Sequence, residues 1–212
     1  MECSNPLGFE SRVVGDAQRE GQPTRVVSGS RKFAKDAKDI WEAVTNTERL
    51  DRWFGAVTGD LKLGGRYQLK GNAGGEITRC EPLRIFEATW EFGENLSWLT
   101  VRLEPDGDGT RVALEHAMTK DEASEKHWEK YGPGATGVGW DLGMLGLGLY
   151  LNTESFDRKE AEAWATTEPG KEFIRDCAKS WGVSHLSSGE KPELANAMAE
   201  NTAKAYTGET GE

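Results

Sequence analysis

The sequence lacks the features that staple small secreted proteins or anchor membrane ones. Its three cysteines (Cys3, Cys80 and Cys177) are too few and too scattered for a disulfide framework or a zinc site, which points to a reduced, cytoplasmic setting. Met1 to Gln22 is polar and carries no apolar core of a signal peptide. No apolar run reaches the roughly 20 residues that a membrane span needs. Basic clusters are also scarce. Arg31-Lys32 with Lys35 and Lys38 comes closest, and the formal net charge is −10. Nucleic-acid binding depends on clustered Lys and Arg, so no nucleic-acid partner is expected. No phosphate-cradling glycine loop, HExxH or GxSxG motif occurs. The loop Asp106-Gly-Asp-Gly-Thr110 begins like a calcium loop, but Arg111 and Ala117 stand where the glycine and the bidentate acid belong. It reads as a hairpin turn. Neither a metal nor a cofactor is expected.

Apolar mass is nevertheless present, with 36% hydrophobic residues and eight Trp in 212 residues. The most apolar stretch is Gly137-Val-Gly-Trp-Asp-Leu-Gly-Met-Leu-Gly-Leu-Gly-Leu-Tyr-Leu151. At about 100° per residue it resolves into two ridges, Trp140/Met144/Leu147/Leu151 and Val138/Leu142/Leu145/Leu149, roughly 160° apart. A helix apolar on two sides is expected to be buried on two sides. Gly139, Gly143 and Gly146 line one flank with Tyr150, and Asp141 lies on the other.

Before this helix the pattern is mostly period two. Residues 1–23 read as a polar arm with one short extended candidate at Phe9–Val14, and Thr24–Phe33 reads as a strand. Asp36 caps a helix over Ala37–Asn46, and a short helix follows over Thr47–Phe54. Candidate strands then run over Gly55–Lys62, Arg66–Lys70, Gly75–Glu81, Arg84–Phe92, Leu96–Glu104 and Thr110–Met118, joined by Gly-, Asn-, Pro- and Asp-rich turns. Consecutive short strands with short turns predict an antiparallel meander. Alternation puts Phe86, Ala88, Trp90 and Phe92 on one face, with Leu99, Val101 and Leu103, and with Val112, Leu114, His116 and Met118, on the inward sides of their strands. The predicted sheet has an apolar, concave face and a wet one. After Leu151, Asp157–Ala165, Pro169–Trp181 and Pro192–Tyr206 predict amphipathic helices, with Gly182 and Gly208 as stops for the last two. The domain reading is an arm over 1–23, a core domain over 24–152, a helical extension over 153–207 that packs on it, and a tail over 208–212.

The motifs Lys38-Asp-Ile-Trp-Glu-Ala-Val-Thr-Asn-Thr-Glu-Arg-Leu-Asp-Arg-Trp-Phe54, Leu63-Gly-Gly-Arg-Tyr67, Glu81-Pro-Leu-Arg-Ile-Phe-Glu-Ala-Thr-Trp90 and Thr110-Arg-Val-Ala-Leu-Glu-His116 follow one another in order. This combination resembles the branch of the START/Bet v 1-like (SRPBCC) superfamily related to the activator of Hsp90 ATPase. The resemblance covers about residues 24–152. It implies an α+β helix-grip fold, in which a curved antiparallel sheet of about six to seven strands wraps a long C-terminal helix around an apolar cavity. The glycine-rich helix and the extra C-terminal helices depart from that pattern.

Candidate ligand-binding residues follow from the inward faces. Trp53, Tyr67, Phe86, Trp90, Phe92 and Trp140 offer aromatic walls, although core packing explains each as well. Leu99, Val101, Leu114, Met144 and Leu147 supply aliphatic lining. His116 faces inward, either as a buried, hydrogen-bonded histidine or as a donor that orients a ligand. Asp141 must be paired, hydrogen-bonded or protonated if buried, and reads as a rim or structural salt bridge, as a polar anchor in the pocket, or as a general acid or base. His127 reads as a solvated loop residue. No residue is assigned a catalytic role. The helix glycines serve either close approach of another element or cavity volume.

The expected function is non-catalytic binding or sequestration of a hydrophobic small molecule in the grip cavity. The resemblance also implies three alternatives: a chaperone ATPase regulator, an enzyme like the polyketide cyclases, and an antibiotic self-resistance protein. A protein partner or a homodimer stays open.

Overall fold

A computed structural model of the chain describes residues 8–153 and 156–209. Eight strands form one antiparallel sheet in the order β1-β2-β8-β7-β6-β5-β4-β3. They are β1 (Ser11–Arg19), β2 (Gln22–Phe33), β3 (Val57–Gly59), β4 (Arg66–Leu69), β5 (Gly74–Glu81), β6 (Ile85–Phe92), β7 (Asn95–Asp106) and β8 (Gly109–Thr119). The helices are α1 (Ala37–Thr45), α2 (Thr47–Trp53), α3 (Glu122–Tyr131), α4 (Gly134–Asn152), α5 (Arg158–Ala165), α6 (Glu168–Ser187) and α7 (Pro192–Thr207). The meander and the long helix over its apolar face form the expected helix-grip arrangement, with more strands than the six to seven anticipated.

The first difference lies in the expected arm. Its described part is β1, an edge strand registered against β2 from Ser11↔Ser30 to Arg19↔Gln22. The hairpin turns through Glu20 and Gly21, both at positive φ (51° and 78°), as a tight two-residue turn requires. Only Val14 of β1 is buried, so the strand is held by backbone pairing and leaves almost no apolar period in the sequence. Cys3 and the end of the expected tail lie outside the described residues.

The second is α3, over a stretch that looked like a charged loop. Asp121 caps it by accepting the Ser124 N–H at 2.9 Å, and hydrogen bonds from Thr119 and the Ser124 and Ala123 amides hold its carboxyl down at about 2. Trp128 is its one buried residue. A helix with a single apolar anchor shows no stripe. His127 is exposed on it rather than in a loop.

The third concerns Gly182, which does not end α6. The helix runs on to Ser187, and a Cβ at Gly182 would lie 2.9 Å from that of Ala199 on α7, so this glycine lets two helices approach closely. Gly208 does end α7, in the left-handed conformation. The strand expected over Gly55–Lys62 contracts to three residues.

The outer face of the sheet is not uniformly wet. Trp98, Thr100 and Ala117 on β7 and β8 are buried there. The Arg19 guanidinium lies on this face and donates to Glu87 at 3.1 Å, Thr100 at 3.0 Å and Glu115 at 3.0 Å. The concave face carries the main core, where Val27, Leu99, Val101, Leu103, Val112 and Leu114 meet Val138, Met144, Leu147 and Leu151 of α4. Leu145 and Leu149 of α4 face α5, where they share a pocket with Trp164.

Candidate ligand-binding site

Among the described residues, two spaces lie on the concave face. The inner one is a cavity of about 70 Å³ bounded by Trp53, Phe54, Phe86, Leu99, Val101, Leu114, Trp140, Met144 and Leu147. The outer one is a cleft of about 550 Å³ at the end of β6–β8, walled by Trp90, Phe92, Leu96 and Met118 of the sheet, Trp128 of α3, and Ala135 and Thr136 of α4. Small-molecule sites run from about 300 to 1,000 Å³. By that measure the grip interior is nearly filled, and the volume lies at its mouth.

His116 sits between the two. The Trp140 indole donates to its Nδ1 at 3.1 Å, and its Nε2 is 2.8 Å from Ser97 Oγ. Indole only donates, so Nδ1 must be the acceptor and the ring proton is on Nε2. Ser97 Oγ then accepts a hydrogen bond from the Nε2–H and donates its own to the Trp90 carbonyl at 3.0 Å. The result is a chain, Trp140 to His116 to Ser97 to the Trp90 backbone, with every proton placed. Burial pushes His116 down to about 4. At neutral pH both of its nitrogens are engaged, so it offers no free proton acceptor to a substrate. The register of β7 on β8, with Leu99 opposite His116, puts Ser97 on the same face by alternation, a signal the sequence did contain.

Asp141 lines neither space. Its carboxylate is fully buried and accepts from the Phe9 amide at 2.7 Å, from Arg12 Nη2 at 2.6 Å and Nε at 3.3 Å, and from the Trp181 indole at 2.8 Å. Of the roles weighed for it, the geometry matches the structural salt bridge, which ties β1 and α6 to α4. Tyr67 is also elsewhere. It donates to the Thr89 carbonyl at 2.7 Å beside a shallow groove at the β3–β5 end of the sheet, and burial raises its phenol. Cys177 is buried with its thiol pushed up by burial, which leaves it unreactive.

Sequence reasoning missed Arg25, Glu125 and Trp128 as cleft residues. Arg25 holds Glu125 through two hydrogen bonds, at 2.9 and 2.8 Å, while its guanidinium lies 4.7 Å over Trp128. All three line the outer cleft. Thr119 and Ser124 there are bonded to Asp121, and Thr136 to Met118 Sδ, while Asn95 and His127 also line the cleft. Among the described residues no cluster suited to a metal ion occurs, and no helix is long and apolar enough to cross a membrane.

The chain is similar to CalU16 from Micromonospora echinospora. The solution structure of that protein is 27% identical with a TM-score of 0.71, covering 89% of this chain and 100% of that one. Its crystal structure is 26% identical with a TM-score of 0.67, covering 82% and 96%. Protein MLL2253 from Mesorhizobium loti shares the fold at 18% identity and a TM-score of 0.54, covering 62% of this chain and 99% of that one. No curated relative matches. Residues 35–151 match the family described as activator of Hsp90 ATPase homolog 1-like protein, and the chain belongs to that family.

Proposed function

We propose that the protein binds a hydrophobic small molecule without transforming it, and that the outer cleft is where the molecule sits. One observation carries this reading. A cleft of about 550 Å³ is walled by Trp90, Phe92 and Trp128, and most of its polar side chains are already hydrogen-bonded within the protein. Apolar burial is worth about 25 cal/mol per Å² and supplies the driving force, because few polar partners remain to be claimed. The family and the likeness to CalU16 support the fold that builds such a cleft. His116, bonded at both nitrogens, fits a wall better than an acid or base.

Native mass spectrometry of protein from its own cell, scored for co-purified mass, tests the proposal. A ligand lost in Trp90→Ala and Trp128→Ala is the expected result. Protein that carries no ligand and binds no fluorescent apolar probe would sink it. Stimulation of an Hsp90 ATPase would move the reading to the activity in the family's name.

A further inference from the structure

The Trp140 indole lines the inner cavity and backs onto Trp90 and His116, which line the outer cleft. Phe54 stacks on it with ring centroids 6.1 Å apart and planes 8° apart, while Trp90 and His116 meet it edgewise at 5.5 and 5.9 Å. One hydrogen bond fixes the ring, from Nε1 to His116 Nδ1. The rest of the chain, His116, Ser97 and Trp90, belongs to the sheet. Trp140 is the member that α4 carries, and it is only half-buried.

The ring has space beside it. A Cβ added at Gly143 would lie 3.8 Å from Trp140 Cε3, and one at Gly146 would lie 3.6 Å from the Trp53 carbonyl and 3.7 Å from the Trp53 ring. These are ordinary contacts. Alanine fits both positions and would favour the helix, since glycine is the poorer helix former. Gly137 and Gly148 differ, because the Trp181 ring and the Arg31 guanidinium occupy the room their side chains would need. Static packing therefore explains Gly137 and Gly148 but not Gly143 and Gly146. The unexplained pair lies beside the two tryptophans that border the inner cavity.

That cavity, about 70 Å³, is below the roughly 150 Å³ that admits benzene, so a ring-sized group enters only if a wall moves. Its lining includes Val44, Leu50, Val112 and Leu114 and no charged side chain, so a charged group would be desolvated there without a partner. We infer that Trp140 is a gate, latched by His116, between the outer cleft and the inner cavity, and that the ligand is an elongated, uncharged apolar molecule whose far end passes the gate. The inference rests on the cleft being the binding site.

Two neutral fluorescent probes test it: N-phenylnaphthylamine, which is compact, and diphenylhexatriene, which is a rod. Each is titrated into the full chain, into Trp140→Phe, which keeps a ring but loses the latch proton, and into Gly143→Ala, which fills the space beside the ring. The readout is the ratio of rod affinity to compact-probe affinity, which a general loss of folding would not raise. The ratio should rise roughly five- to tenfold in Trp140→Phe, the worth of one latch hydrogen bond, and fall in Gly143→Ala. A ratio unmoved in both variants, with the compact probe still bound, overturns the gate and leaves the cleft. If neither probe binds any form, the cleft reading fails and the gate with it.

Discussion

Arg12 Nη2 donates to Asp141 Oδ1 at 2.6 Å in an ion pair whose carboxylate side chain is wholly enclosed and whose guanidinium side is 9% exposed. The pair joins the edge strand to the central helix, and the Trp181 indole on α6 completes it at 2.8 Å. Three elements far apart in sequence converge on one carboxylate. Removing one partner of such a pair strands the other charge in the core, which costs about 3–5 kcal/mol. Asp141→Asn should therefore lose about that much stability in urea unfolding, with amide exchange rising in β1 and α6 together. A loss below about 1 kcal/mol would mean that the pair does not hold the elements.

Glycines in α4 should separate by sign. Gly137→Ala drives a methyl into the Trp181 ring and disturbs its bond to Asp141, so it should cost about 2 kcal/mol or more, as overpacking does. Gly146→Ala meets only ordinary contacts and should be neutral or stabilising by up to about 1 kcal/mol. Calorimetry of the two variants decides it. Equal destabilisation in both would show that the flank is packed uniformly.

The two sides of α4 were legible because eight large apolar residues on a 3.6 period leave no other solution. The fates of individual glycines were not, since they depend on Trp181 and Arg31, which arrive from 44 residues downstream and 117 upstream of Gly137 and Gly148 respectively. Alternation placed Leu99, Val101, Leu114 and His116 inward and the structure agrees. It also placed Trp90 and Phe92 on that face, but it could not tell that they wall the mouth and not the interior. Register along the sheet decides that, and register is a tertiary property. β1 was legible only in part, as the extended candidate Phe9–Val14, and α3 not at all, for a shared reason. Each buries a single side chain, and the partners that fix it, β2 for one and Arg25 for the other, carry the information instead.

His116 should make stability depend on pH. Its folded pKa, about 4, lies below the ordinary value of 6.5, so between these values the unfolded chain binds the proton and the folded one does not. Stability from this group is present above about 6.5 and is lost as pH falls toward about 4, to the extent of about 3 kcal/mol. The ring meets Trp90, Trp140 and Ser97, none of them charged, so burial alone sets the direction. His185, also lowered by burial, acts in the same sense. Nitrogen-detected NMR of the imidazoles isolates His116. A neutral ring protonated at Nε2 at pH 5.5 is expected, and an imidazolium there would contradict the hydrogen-bond chain.

Arg25 should govern how firmly α3 closes the cleft. Its guanidinium bonds Glu125 of α3 twice and lies over Trp128 of the same helix, while its own backbone belongs to β2. The two members of the ion pair are about a quarter and a third exposed, 26% and 34% for their side chains, so solvent screens the charge. A double-mutant cycle on Arg25 and Glu125 should return about 0.5–1 kcal/mol and no more. Such a value is small against the whole fold but large for one short helix that buries only Trp128. Arg25→Ala should therefore speed amide exchange in residues 122–131 several-fold while the β7 and β8 amides hold their rates. Glu125→Ala should do the same, because either change breaks the same tie. If both variants leave α3 protected, Trp128 and the bonds that Asn201 and Thr202 of α7 donate to the Lys130 and Tyr131 carbonyls hold the helix down.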